Sequence, residues 1–179
     1  MAETVKQIEA MPDSYPEAMA RFRRQNFIYG IDELPEKEQI WQRIEAYTAY
    51  RWTPRDVVWI VEGEGSWEPP LAPATVSAVE QWEGGDWVTT APPTSALGGY
   101  NFPGDGPYRV TATVGGGELP SAVKKAFQRL FEYSRGMEDM FKNEAAYAGD
   151  QDGEVIRNWT GKAIQLSGAA DLLRPYRRV

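Results

Sequence analysis

The sequence predicts an α+β protein, a mainly helical subunit with a small antiparallel β insertion and an extended C-terminal arm. Three observations predict it. The first and last thirds place apolar residues at helical spacing, the middle third is a series of short β-branched and aromatic runs divided by Gly and Pro, and the last dozen residues read as a tail. At 179 residues, with 42% hydrophobic and 25% charged side chains, the chain is long enough to bury a real core, and wholesale disorder is not expected.

Taken in order, Val5 and Ile8 predict a short helix that ends at Met11-Pro12. Ser14 and Glu17 have capping-box spacing, and Met19 and Phe22 give an inward face to a short helix whose Arg21, Arg23 and Arg24 are solvated. Residues 1–35 therefore read as a helical extension. A stronger helix begins near Pro35, with Ile40, Ile44, Tyr47 and Arg51 along one stripe, and Thr53-Pro54 ends it. It opens a core spanning 36–167, with a β-subdomain at about 54–115. Strands are predicted at Val57–Val61, Thr75–Trp82, Trp87–Thr90 and Tyr108–Val114, the last with Tyr108, Val110, Ala112 and Val114 on one face. Pro120 suits a first helical turn, Val123, Phe127, Leu130, Phe131 and Ser134 share a face, and Gly136 is placed to end that helix. Met137–Ala148 reads as a second helix or an ordered loop, Val155–Leu166 is ambiguous, and residues 168–179 form the tail.

Composition narrows the function. Cys and His are both absent, which removes disulfide frameworks, zinc fingers, thiol nucleophiles and imidazole chemistry. No pair of carboxylates stands out as catalytic, so an enzyme is not expected, nor a metal or cofactor. No apolar run approaches the roughly 20 residues that cross a bilayer, and residues 1–10 hold no signal-peptide core, so no membrane partner and a cytosol-like compartment, or a particle assembled there, are expected. The net charge of −7 is uneven: between Arg55 and Arg109 there are eight carboxylates and no Lys or Arg. Tight nucleic-acid binding needs clustered cations, so this acidic middle argues against it.

Several motifs give way to plainer readings. Gly115-Gly116-Gly117 lies between a strand and a helix but meets neither phosphate-loop spacing, and Pro120 removes one of the amides such a site uses; it reads as a turn. Asp150-Gln151-Asp152-Gly153 lacks the first and twelfth ligands of a calcium loop, and the sequon Asn158-Trp159-Thr160 has no secretory context. The seven tryptophans would suit a sugar groove, yet Trp41 and Trp59 lie on apolar faces where core packing is expected, and Trp67, Trp82 and Trp87 lie near turns and suit an interface. In the tail, Leu172 and Leu173 are apolar, Pro175 stiffens the chain, and Tyr176 with Arg174, Arg177 and Arg178 makes a basic aromatic end fitted to docking.

Three stretches, in order, carry a resemblance to a known family. They are Ile44–Tyr47 leading into Val57–Val61; Tyr108–Gly115 followed by Leu119–Ala126; and the close Gly168–Arg178 with its leucine pair, proline, tyrosine and arginines. Over about residues 36–179 the chain resembles the head-tail connector (adaptor) proteins of long-tailed phages and gene transfer agents. The resemblance implies a mostly helical subunit forming a dodecameric ring at the head-tail junction of the virion. Such a ring binds the portal, extends the DNA channel and offers a platform for stopper or tail proteins. It places portal docking on Leu172, Leu173, Arg174, Pro175, Tyr176, Arg177 and Arg178. Double-stranded DNA would pass without specific binding, and Glu62, Glu64, Glu83 and Asp86 are expected to face the channel, where carboxylates repel phosphates. The chain departs from the pattern in its first 35 residues and in the polar length of Met137–Gly161. The competing readings are another junction protein, a stopper or tail terminator, and a Trp-rich carbohydrate-binding or glycoside-cleaving module.

Overall fold

The computed structural model describes residues 1–18, 37–96, 98–144 and 162–178, the last part of the third stretch, 138–144, by its backbone only. The expected basic helix near Met19, the Asp150–Gly153 turn and the Asn158 sequon lie outside the described residues. The chain forms two compact units, each assembled from separated stretches. One comprises Met1–Ser14, Ala49–Gly117 and Arg178; the other comprises Tyr15–Thr48, Glu118–Arg177 and Val179.

The first unit is built on strands β1 (Glu3–Glu9), β2 (Arg55–Glu62), β3 (Gly65–Trp67), β4 (Ala74–Glu83), β5 (Asp86–Thr89), β6 (Tyr100–Phe102) and β7 (Tyr108–Val114). Five of them form an antiparallel sheet in the order β1-β2-β7-β4-β5, and β3 pairs with β6 in a separate ribbon. The alternation of β2 and β7 decides which face is covered. Val57, Trp59 and Val61 on β2, with Tyr108, Val110, Ala112 and Val114 on β7, are all essentially buried, and their neighbours in sequence point to the other face. The ribbon supplies the lid of this core: Trp67 meets Trp59 edge-on at 5.7 Å, and Phe102 stacks on Tyr108 at 4.2 Å. Each such side chain contributes about 1.5–3 kcal/mol by leaving water.

Strand β1 follows the opposite pattern, and its partners explain why. Its inward positions, Thr4, Gln7 and Glu9, stand opposite Val61, Trp59 and Val57. They are polar because buried donors need acceptors there. Trp67 Nε1 donates to Thr4 Oγ1 and Trp59 Nε1 donates to Gln7 Oε1, each at 2.9 Å. Glu9 accepts from Arg51 and Arg55. The apolar Val5 and Ile8 are left 54% exposed.

Two glycine features set the turns. Gly84 and Gly85 both have positive φ, as a two-residue hairpin of the primed kind requires, and they join β4 to β5. Gly115 ends β7 with φ +97°, and a Cβ there would lie 2.3 Å from the Thr53 carbonyl oxygen. The triple glycine is thus the turn that the sequence suggests, packed hard against the segment before β2.

The second unit is helical. Helix α1 (Lys37–Thr48) buries Ile40, Trp41, Ile44, Glu45 and Thr48. Helix α2 (Ser121–Glu144) buries Val123, Ala126, Phe127, Leu130 and Phe131, an i, i+3, i+4, i+7, i+8 stripe. Trp41 packs on Phe127 at 4.9 Å, and its indole N–H donates to the Pro16 carbonyl at 3.0 Å. Short helices α3 (Ala163–Leu166) and α4 (Ala169–Leu173) follow, then a 3₁₀ turn at Arg174–Tyr176. Ala163, Ala169 and Leu173 are buried.

These observations correct the expected fold class. The chain is not mainly helical, because a five-stranded antiparallel sheet is a principal element and not a small insertion. Residues 3–9 form a strand where a helix is expected: the spacing of Val5 and Ile8 matches a helix, but both residues face outward. The C-terminus is not an extended arm, since Leu173 anchors a helix and a 3₁₀ turn follows it. Gly136 does not end its helix. A mid-helix Gly costs only about 1 kcal/mol, too little to stop α2, which runs on to Glu144.

Candidate functional site

The C-terminal segment is a presented turn. Leu173 is wholly buried in the helical unit and Leu172 is half-buried, whereas Arg174, Pro175 and Arg177 are exposed and Tyr176 is half-buried. Leu173 therefore pins the segment from beneath, and Pro175 within the 3₁₀ turn fixes its backbone. The Arg177 guanidinium lies over the Tyr47 ring at 5.3 Å, a cation–π contact on the surface of the same unit. Arg178 belongs by its contacts to the sheet unit. It donates to the Pro69 carbonyl at 2.8 Å and to the Glu68 carboxylate. Of the residues expected to dock, Arg174, Pro175 and Arg177 offer open surface, Leu173 does not, and Arg178 is engaged within the chain.

Strand directions gather the acidic residues. β2 and β4 both run toward the same end of the sheet, because each is antiparallel to β7 between them. Glu62 and Glu64 leave β2 there, Glu83 and Asp86 flank the β4–β5 turn there, and Glu3 is opposite Glu62. Asp105 joins them through its carbonyl, which accepts from Gly63 N–H at 2.7 Å. The four carboxylates singled out from sequence are all exposed and share one end of one sheet, although 24 residues separate Glu62 from Asp86. Among the described residues, no three carboxylates are grouped so as to hold a metal ion.

The outer sheet face carries a cluster that sequence patterns do not disclose. Arg109 on β7 is opposite Glu80 on β4, and the pair is bidentate at 2.6 and 2.7 Å. The Arg109 hydrogen bond, opposed by some burial and aided by its charge, holds the Glu80 carboxyl below the usual range. The same guanidinium lies 4.7 Å from the centre of the Trp87 ring. Trp87 in turn meets its cross-strand neighbour Trp82 edge-on at 5.2 Å. Only the register of β4 against β7 brings Glu80 to Arg109, and register is not written in either strand alone. Four tryptophans, Trp41, Trp52, Trp59 and Trp67, are buried, whereas Trp82 is 43% exposed.

One stretch of α2 in the helical unit is basic, although Glu38, Glu132 and Asp171 of the same unit are also exposed. On α2 the positions away from the buried stripe include Lys124, Lys125 and Arg129, all exposed. Arg129 also donates to the Gly168 carbonyl at 3.1 Å.

No protein-family model, no curated protein and no solved structure matches the chain. The surface features that stand out are a basic turn on the helical unit and, on the sheet unit, an acidic sheet end and an exposed aromatic hairpin.

Proposed function

We propose that the chain is a structural subunit of a phage-type particle, a head-tail connector that associates in a ring and docks on the portal through its C-terminal turn. The observation that carries this reading is the construction of that turn. Leu173 is buried beneath it, while Arg174, Pro175 and Arg177 stand exposed on a backbone held by a 3₁₀ turn. An exposed arginine pair on a fixed backbone loses little freedom on docking, and each guanidinium is suited to bidentate pairing with a partner's carboxylate. The resemblance in the ending Gly168–Arg178 points the same way. In a ring, Glu62 and Glu64 at the acidic sheet end would face the channel, where they repel the phosphates of passing DNA.

The test is capture by the portal protein of the same particle. The intact chain is expected to be retained on immobilised portal, and Arg174→Glu with Arg177→Glu to lose at least tenfold in affinity while keeping its circular dichroism and melting temperature. Equal retention of the charge-reversed variant, or no retention of the intact chain, overturns the reading.

A further inference from the structure

The β4–β5 hairpin extends past the strands beside it. Gln81 is the last β4 residue paired with β7, opposite Tyr108, and the Trp82 N–H still donates to the Pro107 carbonyl at 3.0 Å, so Glu83, Gly84, Gly85 and Asp86 form the tip beyond the central strand. At the base of this tip Trp82 is 43% exposed on one face and Val88, opposite Gln81, 47% on the other, with Glu83 and Asp86 exposed at the tip itself. Two strands with exposed apolar residues are marginal in water by themselves. Here a Gly-Gly turn, the Trp82–Trp87 pair and the Arg109 contact hold them in a fixed shape. Such rigidity, with aromatic surface and carboxylates at the tip, suits an apolar and cationic counterpart.

We infer that the hairpin docks on α2 of a second copy of the chain, with Glu83 and Asp86 set against Lys124, Lys125 and Arg129. Charge complementarity selects this occupant. The hairpin tip carries carboxylates with no cation between Arg55 and Arg109 in sequence, and the exposed side of α2 presents three cations along little more than one turn. Trp82 then packs on the aliphatic stems of the lysines, as long cationic side chains allow. The two surfaces are different elements, so the contact is heterologous: each copy offers a hairpin to one neighbour and a helix to another. Contacts of that kind propagate and close into a ring when the rotation permits. The inference rests on the ring reading above and names the surfaces that would make the ring.

The absence of cysteine gives a clean background for the test. Asp86→Cys and Lys125→Cys are placed together in the full chain, which is oxidised alone and again on the portal, and run without reductant. The expected result is a ladder of trimers and larger species from the double variant, and none from either single variant. Monomers throughout overturn the inference, as does a dimer from Asp86→Cys alone, which would mean a symmetric contact. As a second arm, Glu83→Lys with Asp86→Lys and, separately, Lys124→Glu with Lys125→Glu are each expected to weaken association at least tenfold. Mixing the two variants should restore it, and failure of the mixture to do so also overturns the inference. Portal capture with no ladder leaves the connector reading standing without this interface. A ladder without portal capture does the reverse.

Discussion

Glu9 and Arg51, 42 residues apart, are joined by two hydrogen bonds of 2.5 and 2.9 Å, and Arg55 reaches the same carboxylate at 3.3 Å. The pair ties edge strand β1 to the segment that leads into β2. Burial alone would raise the Glu9 carboxyl, but the Arg51 hydrogen bond and charge, with Arg55 behind them, outweigh it and hold the group below its ordinary value. A carboxyl lowered in the folded state stabilises fully above the unfolded value of about 4.3 and loses that contribution as pH falls through the lowered folded value. Glu9→Gln is expected to cost about 2 kcal/mol at pH 7, from the loss of charged hydrogen bonds. In urea titrations the gap from wild type should close in acid. A gap that persists unchanged in acid contradicts the assignment.

Tyr108 stacks on Phe102, yet its buried hydroxyl has no hydrogen-bond partner among the described residues. Removing a buried hydroxyl that has no partner relieves a desolvation cost of about 1–3 kcal/mol. Tyr108→Phe is therefore expected to melt at or above the wild-type temperature. Marked destabilisation by scanning calorimetry would show that the hydroxyl is bonded.

Gly115 combines φ +97° with the close approach to Thr53. Gly115→Ala is expected to destabilise by about 2 kcal/mol or more, since an L side chain is strained there even without the clash. Gly84→Ala, where a Cβ would meet nothing, isolates the backbone contribution and should cost less.

Leu173 has no exposed surface and sits directly before the basic turn. Leu173→Ala is expected to lose about 3 kcal/mol. Hydrogen exchange at residues 174–177 should rise more than in the centre of α2, which would show that the turn is held by this one side chain.

How legible the fold was in the sequence varies with the strength of each local signal. β7 was readable to the residue because four buried positions alternate with polar ones. α1 and α2 are readable in position because their apolar stripes are long, but their ends are not: α1 stops at Thr48, where Ala49 takes a positive φ, short of the expected end at Thr53-Pro54 and without Arg51, and Gly136 is a false stop within α2. β1 is not legible as a strand for a physical reason: its inward residues are polar acceptors for Trp59, Trp67, Arg51 and Arg55, so the usual amphipathic pattern is inverted. β3 and β6 are three residues each, too short for any periodicity, and with β1 they tip the balance from a helical to a sheet-rich fold. The acidic middle was visible as composition. That its carboxylates meet at one sheet end depends on strand order, which local patterns do not carry.

The central position of β7 bears on how the molecule comes into being. This strand is the last of the five to leave the ribosome, yet it must lie between β2 and β4, whose own link passes through the ribbon strand β3. Until residues 108–114 emerge, β2 and β4 lack a shared neighbour and their inner faces remain wet. Sheet formation therefore waits on contacts distant in sequence, the kind of topology that folds slowly.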